Sequence, residues 1–394
     1  MSSFIVNNTA ALKAALSQAH SGDVVELSPG TYTPLSIKGF NLGGVTVTSQ
    51  DPSQEAVLTG LAMDHVSGLS FTSLEFSFPM GNGKPSPHGI FVNHSHDIHF
   101  VADEIHGVLG VAPTNDVTGV GFSNSTNLSI ENSELQYLRN GVTMGSDSNV
   151  LISGNNFHDM RIDGVDGAAV QNATVTGNNF SNFHHLGYAG QGGDHSDAIQ
   201  FWTTNQHVGS SNLTITDNLI VQGQGRDMQG IFIQDSKHHH PYANLQVTDN
   251  LIVGGNWNGI MVDDAHGAVV SHNQVTTLST QPQKPWIKVQ HSNGVTVDHN
   301  SAHDFAYTGN QHLTKTANQI SAAVTDQGVA TITAWLASHT QHVVPMGPST
   351  AQELVFPNGA AAAAPSAMSA APDVGLLGQP APEPSGMTGM TLTG

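Results

Sequence analysis

The densest group of side chains able to transfer protons lies in one stretch of the sequence. Its members are His184, His185, Tyr188, Asp194, His195 and Asp197. Imidazole changes charge near neutral pH, and neighbouring carboxyl groups push one another's pKa values apart, so both suit general acid–base catalysis. The stretch therefore predicts an acid–base site, provided that regular structure on either side holds these residues in place.

The flanking sequence repeats one short pattern, in which an alternating apolar segment usually ends in Asn. Alternation with period two predicts a β-strand. Repetition of so short a unit predicts a solenoid, because a single copy cannot bury its own apolar face. The copies are Asn127–Ser133, Asn149–Asn155, Asn172–Asn178, Asn212–Asn218, Asn244–Asn250, Gly267–Asn273 and Gly294–Asn300.

The spacing of the terminal Asn residues predicts the size of one coil of the solenoid. The intervals from Asn155 to Asn300 are 23, 40, 32, 23 and 27 residues. The minimum of 23 suits three short strands and three turns, and the Leu-rich consensus of leucine-rich repeats is absent. We expect the Asn side chains to form a hydrogen-bonded ladder along the stack. The sequence therefore predicts an all-β fold, a single-stranded parallel β-helix solenoid.

The 40-residue interval contains the acid–base stretch, and alignment of the strands that follow each loop predicts which side chains meet. The positions expected to face the core are Val165, Ile199, Ile231 and Ile260. The positions expected to face outward form two columns, one of Asp166, Gln200, Phe232 and Met261 and one of Trp202, Gln234 and Asp263.

Two columns at the strand starts carry the catalytic hypothesis. One places His195 between Arg161 and Asp227, a charged stack suited to proton transfer. The other places Asp163 beside Asp197 on neighbouring rungs about 4.8 Å apart, so the pKa of one carboxyl should rise. A plain surface histidine and ordinary turn aspartates are the alternative interpretations.

The reaction class stays open at this point. In a lyase or an epimerase, His195 or Tyr188 would take the proton next to a uronate carboxylate, which Arg161 or a metal would neutralise. In a glycoside hydrolase, Asp163 and Asp197 would be the two catalytic carboxyl groups. The side chains expected to contact sugar are Trp202, Gln200, Asp166, Gln234 and Lys288.

The hypothesis requires no cofactor, and it allows one cation. Asp263 and Asp264, beside His266, offer the oxygen ligands that Ca²⁺ takes. The tract His238–His240 is expected to be a solvated loop, because consecutive side chains in a strand alternate faces.

Composition limits the partners of the protein. The 394 residues include 10 Lys and Arg against 30 Asp and Glu, a net charge of −20 with His neutral. Such a surface argues against nucleic acid and anionic membranes as partners, but not against a polysaccharide. No segment approaches a membrane span, so we expect no membrane insertion. Cysteine is absent and the first residues lack a secretory signal, so we expect an extracellular or virion-associated protein without a classical signal peptide.

Four regions are expected along the chain. Residues 1–22 form an N-terminal cap with a helix at Thr9–Ser21, 23–305 form the solenoid, and 306–351 form a C-terminal helical cap. Residues 352–394 are rich in Ala, Pro and Gly, which predicts a flexible tail. The tail is the expected route to assembly, either as a homotrimer or as a larger particle.

The cap helix followed by Gly22–Tyr32 resembles the entry to right-handed parallel β-helix polysaccharide lyases of the chondroitinase B and alginate lyase type, within the pectate-lyase-like superfamily. The Asn-rich coils are similar to mannuronan C-5 epimerases and phage tailspike depolymerases, and Asp194–Asp197 is a loose analogue of the epimerases' Asp-Pro-His-Glu signature. The resemblance covers about residues 5–305. It implies a right-handed β-helix that binds and cleaves or modifies an extended polysaccharide. The alternative is a non-catalytic structural or receptor-binding spike of a phage-like particle or cell surface.

Overall fold

The computed structural model describes residues 2–79, 88–110, 117–187 and 194–339. Within these ranges the chain forms two helices, α1 (Thr9–Leu16) and α2 (Val329–Ser338), and 36 strands. The strands are β1 Ser3–Val6, β2 Val24–Leu27, β3 Thr31–Tyr32, β4 Leu35–Lys38, β5 Asn41–Ser49, β6 Val57–Leu58, β7 Leu61–Asp64, β8 Ser67–Thr72, β9 Glu75–Ser77, β10 His88–Asn93, β11 His96–Val101, β12 Glu104–His106, β13 Thr118–Ser123, β14 Thr126–Glu131, β15 Glu134–Gln136, β16 Val142–Gly145, β17 Ser148–Ser153, β18 Asn156–His158, β19 Val165–Ala168, β20 Gln171–Thr176, β21 Asn179–Ser181, β22 Asp197–Trp202, β23 Ser211–Thr216, β24 Leu219–Val221, β25 Gln229–Gln234, β26 Tyr242–Thr248, β27 Leu251–Val253, β28 Asn258–Asp263, β29 Ala265–Ser271, β30 Gln274–Thr276, β31 Trp286–Gln290, β32 Asn293–Asp298, β33 Ser301–Ala302, β34 Phe305–Thr308, β35 Thr314–Thr316 and β36 Gln319–Ile320.

The strands form three long parallel sheets, and along most of the chain each strand pairs with the one three positions later. Sheet A contains β1, β2, β5, β8 and every third strand to β35; sheet B runs from β3 through every third strand to β36; sheet C runs from β4 in the same way to β34. One coil passes from sheet C to sheet A to sheet B. The predicted all-β parallel β-helix solenoid is therefore confirmed.

The core is a stack of inward-facing side chains from the three sheets. Val165, Ile199, Ile231 and Ile260 are fully buried and lie on successive rungs of sheet C, as the alignment predicts. Aromatic rings also stack from coil to coil, with the ring centroids of Phe157 and Phe180 4.8 Å apart.

The glycine at the start of several sheet C strands follows from this close stacking. A Cβ atom on Gly141 would lie 2.6 Å from the carbonyl oxygen of Gly164, and one on Gly164 would lie 2.6 Å from that of Ala198. Both distances are far inside van der Waals contact, so the Gly-Val pattern of these strands reflects backbone packing.

The repeated Asn forms the ladder that the sequence predicts. The amide of Asn178 donates to Oδ1 of Asn218 at 3.0 Å and to the carbonyl oxygen of Ile152 at 2.9 Å. The same contact continues through Asn250, and the ladder as a whole joins Asn155, Asn178, Asn218, Asn250, Asn273, Asn300 and Asn318. These amides satisfy buried backbone groups at one turn of each coil, which is a structural role.

The two helices pack on different parts of the solenoid. Helix α1 covers the first coils with Leu12, Ala15 and Leu16 and ends earlier than expected, at Leu16. The strands continue to Ile320, and α2 then packs Ile332 and Trp335 on the outer face of sheet B. The apolar partners of α2 are Leu219, Val221, Leu251, Val253 and Leu278. Because these belong to β24, β27 and the segment after β30, α2 covers the side of the solenoid and not its end, contrary to the expected cap.

Neither helix of the described ranges is long and apolar enough to cross a membrane. The expected tail at residues 352–394 lies outside those ranges.

Candidate functional site

The candidate site lies on sheet C, where the strands after the long loop begin. Parallel pairing sets Asp166 of β19 opposite Gln200 of β22, and Gln200 opposite Phe232 of β25. Phe232 in turn pairs with Met261, and Met261 with Lys288. The predicted column therefore shares one side of sheet C and extends to Lys288, although Phe232 and Met261 on it are buried.

Beneath this face lie two buried carboxyl groups on neighbouring coils. Asp163 is 4% exposed and Asp197 is fully buried. The backbone N–H of Asp197 donates to Oδ1 of Asp163 at 2.9 Å, and the Asn140 amide donates to Oδ2 at 3.0 Å. Burial raises the pKa of Asp163 well above its usual value, and the negative charges of Asp197 and Asp166 raise it further. The pair is adjacent as predicted, but it is too buried to touch a polymer directly.

His195 connects the buried Asp197 to the protein surface. Its Nδ1 lies 2.8 Å from Oδ2 of Asp197, and its side chain is 31% exposed. The other ring nitrogen contacts the amide of Gln229, and the ring packs edge-on against Phe232 with centroids 5.4 Å apart. The charge of Asp197 raises the pKa of His195 against the opposing effect of burial.

Asp166 is the second titrating group on the outer face. It is half-buried, and the indole N–H of Trp202 donates to its Oδ1. Burial raises the pKa of Asp166 to about 7; the charge of Asp197 adds to the rise, and the Trp202 hydrogen bond and the nearby charge of Arg139 oppose it. Arg139 is exposed, and the sequence analysis missed it because it lies two coils before the acid–base stretch.

The expected stack of Arg161, His195 and Asp227 is wrong. Arg161 instead forms a two-pronged ion pair with Asp194, with Nε 2.8 Å and Nη2 2.9 Å from its carboxylate oxygens. Asp227 faces Nε2 of His185 at 3.5 Å. Oppositely charged groups closer in space outcompete the partners that strand alignment alone suggests.

Tyr188, the other base considered, lies outside the described residues.

A chain of polar contacts extends the site along the strand starts. The Gln229 amide, which contacts His195, also accepts from the Asn258 amide, and Oδ1 of Asn258 accepts from the indole of Trp286 at 2.8 Å. Trp257 is 49% exposed, and its ring centroid lies 5.4 Å from that of Trp286. The sequence analysis missed this aromatic pair, although the chain has only four tryptophans.

Two remaining expectations concern the opposite end of the sheet C strands. Gln234 is half-buried and pairs with Trp202, as the second outward column requires. Asp263 and Asp264 do not act together: Asp263 contacts His291, whereas Asp264 turns toward Asp235. Successive residues point to opposite sides of a chain that turns here, so a calcium site built from this Asp pair is not supported.

Comparisons with known proteins agree with this architecture. The chain matches the family described as "Right handed beta helix region" over residues 59–188 and 88–275. No curated protein matches the sequence significantly.

Three solved structures illustrate the likeness. An alginate lyase from Paenibacillus sp. str. FPU-7 is 12% identical, with a TM-score of 0.48 over 79% of this chain and 99% of that one. A GH136 lacto-N-biosidase from Eubacterium ramulus is 12% identical, with a TM-score of 0.50 over 77% of this chain and 63% of that one. The Streptococcus pneumoniae surface protein and adhesin PfbA is 13% identical, with a TM-score of 0.50 over 79% and 95%. At such identities the likeness concerns the fold alone. With the three parallel sheets and the matched family model, the chain belongs to the right-handed β-helix family.

Proposed function

We propose that this protein hydrolyses a glycan on the outer face of sheet C, with His195 and Asp166 as the groups that transfer protons. One observation carries the proposal: His195 and Asp166 are partly exposed titrating side chains, and the charge of the buried Asp197 raises the pKa of both. Perturbed pKa values cluster at functional sites, where burial and neighbouring charges tune the groups that transfer protons.

His195 is suited to donate a proton. The carboxylate of Asp197 stabilises the imidazolium, so the ring stays protonated to a higher pH than a free histidine does. Gln229 and Phe232 hold the ring in place. Protonation of the glycosidic oxygen is the step that makes the leaving group depart as an alcohol.

Asp166 is suited to accept a proton from water. With a pKa of about 7 it is substantially ionised at neutral pH, yet it is far more basic than an ordinary aspartate. Asp166 lies on β19, and His195 precedes β22 on the next coil, with its ring packed against Phe232 of β25. Hydrolysis by this pair requires a water molecule between the base and the sugar, as in inverting glycosidases.

Hydrolysis fits the charges better than elimination does. Elimination from a uronate needs a cation to neutralise its carboxylate; Arg161 is already paired with Asp194, and the charge of Arg139 acts on Asp163 and Asp166. The charge of Asp197 and the partly ionised Asp166 would repel an anionic sugar ring. A neutral or weakly charged glycan is therefore the substrate class that the site supports.

The aromatic pair Trp257 and Trp286 offers a sugar-stacking surface on the same strand edge. This pair follows Gln229 and Asn258 along the solenoid axis. An extended polymer lying on the strand starts would therefore reach both the tryptophan pair and His195. Solved structures with this fold include both a lacto-N-biosidase and an adhesin, so the site and not the fold supports cleavage.

The proposal is tested by incubating the whole protein with a panel of neutral and acidic polysaccharides. We expect new reducing ends without ultraviolet-absorbing unsaturated ends, and loss of at least 100-fold of the rate in Asp166→Asn and His195→Gln. Asp97→Asn and His299→Gln, which change similar side chains on sheet A, should retain full rate.

Two results would overturn the proposal. Unsaturated ends would assign elimination instead of hydrolysis. A polymer that binds and stays intact with every substrate would assign a non-catalytic binding protein, the alternative that the adhesin-like fold allows.

A further inference from the structure

Three side chains that can ligate a metal meet at the turn between sheet C and sheet A, away from the strand starts. His238 follows β25, Asp263 ends β28 and His291 follows β31, so the three come from consecutive coils. Nδ1 of His291 lies 2.9 Å from Oδ1 of Asp263, and Nδ1 of His238 lies 3.8 Å from the same oxygen. Their ligand atoms all lie within 4.8 Å of one another.

We propose that His238, Asp263 and His291 bind one divalent transition-metal ion, such as Zn²⁺, which ties three coils of the solenoid together. Two ligands at about 2.1 Å from a tetrahedral ion lie about 3.4 Å apart, between the two contacts that Asp263 makes. Two imidazoles and one carboxylate select transition metals over Ca²⁺, which takes six to eight oxygens.

The ligands are held by the chain around them. The carboxylate of Asp235 accepts from the backbone N–H groups of His239 at 2.8 Å and His240 at 2.6 Å, which shapes the loop that presents His238. His291 lies against Gly309, where a Cβ atom would come within 2.8 Å of the ring. Fixed supporting contacts of this kind orient metal ligands before the ion binds.

The local charge also favours a cation. Asp263 is 1% exposed, and Asp235 and Asp264 are also buried. The buried hydroxyl of Tyr242 has a pKa raised well above its usual value by burial and then by the charges of these three carboxyl groups. A divalent ion would offset the repulsion among these groups.

A second cluster at the same turn provides a matched comparison. The ligand atoms of Asp64, His65 and His94 also lie within 4.8 Å of one another, but the ammonium group of Lys38 lies 2.8 Å from Oδ2 of Asp64. A fixed cation already neutralises that carboxylate, so this cluster should not compete for a metal.

The test is a calorimetric titration of the metal-stripped full chain with Zn²⁺ alone. We expect one tight site, a melting temperature that rises with Zn²⁺, and at least a tenfold weaker affinity in His238→Ala and in His291→Ala. His94→Ala should keep the tight site. Both ligand imidazoles are about 40% exposed, so we expect these variants to fold and, without metal, to melt as the parent protein does.

The proposal fails if His238→Ala/His291→Ala binds Zn²⁺ as tightly as the parent, since weak binding elsewhere among the 23 histidines would then explain the titration. It also fails if His94→Ala removes the tight site. Neither result bears on glycan hydrolysis, because the readouts are metal affinity and melting temperature.

Discussion

Nδ1 of His195 lies 2.8 Å from Oδ2 of Asp197, and this aspartate is fully buried while the histidine reaches the surface. The pair couples a charge inside the solenoid to a titrating group outside it. Since the charge of Asp197 is the main cause of the raised pKa of His195, the properties of the outer group depend on a residue that no substrate touches.

Replacing Asp197 by Asn should lower the pKa of His195, because the favourable charge is lost while burial remains. NMR titration of the imidazole measures this directly. In the pH profile of activity, the alkaline limb should move to lower pH, because His195 would lose its proton at a lower pH. An unchanged His195 titration would contradict the assigned cause.

Replacing Trp202 by Phe should raise the pKa of Asp166, because the indole N–H favours the ionised carboxylate. The proposed base must be ionised, so activity should rise with pH through about 7 in the parent protein. In the variant the same rise should occur at higher pH, and the plateau rate should change by less than about tenfold. An acidic limb at the parent position would show that Asp166 does not control it.

Stability should fall as pH rises from about 4 to about 7, partly because of Asp147. Burial raises the pKa of this 1% exposed carboxyl to about 7, so the folded state holds a proton that the unfolded state has released. The stabilisation present at low pH, up to about 4 kcal/mol, is therefore lost as pH passes through the folded pKa.

Asp147→Ser removes this titration but keeps an acceptor for the backbone N–H of Ser125, as Ser125 does for Ser95. Denaturant unfolding at several pH values should give the variant a flatter stability profile than the parent. A parallel fall in both proteins would assign the pH dependence to the overall net charge.

Replacing Asn218 by Ala should destabilise the protein by about 2–4 kcal/mol, because the amide bonds Asn250, Val175 and Thr216 and the site is fully buried. The matched control is Asn212→Gly, which removes an exposed amide contact and places Gly where two other copies of the repeat have it. It should cost less than about 1 kcal/mol by urea unfolding. Equal losses would refute the importance of the buried ladder.

Replacing Trp257 by Ala should weaken glycan retention in affinity electrophoresis by about fivefold or more, since one face of the stacking pair is lost. The hydrolytic rate at saturating substrate should stay within about twofold. Ile320→Ala removes a side chain that is 68% exposed at the far end of the solenoid and should bind as the parent does. Unchanged retention in Trp257→Ala would place the polymer elsewhere.

The repeated pattern by itself determined the solenoid, the Asn ladder and the strand register on sheet C. These follow from local alternation and from repetition, so Val165 and Ile199 face the core wherever the loops go. Only the tertiary structure decided the ion pairs and the metal-ligand cluster. Arg161 reaches Asp194, and His238 meets His291 across 53 positions, because long side chains and irregular turns choose partners by distance in space. The outward column of side chains can thus be predicted from the sequence, whereas its ion pairs and hydrogen bonds depend on contacts that the repeat does not determine.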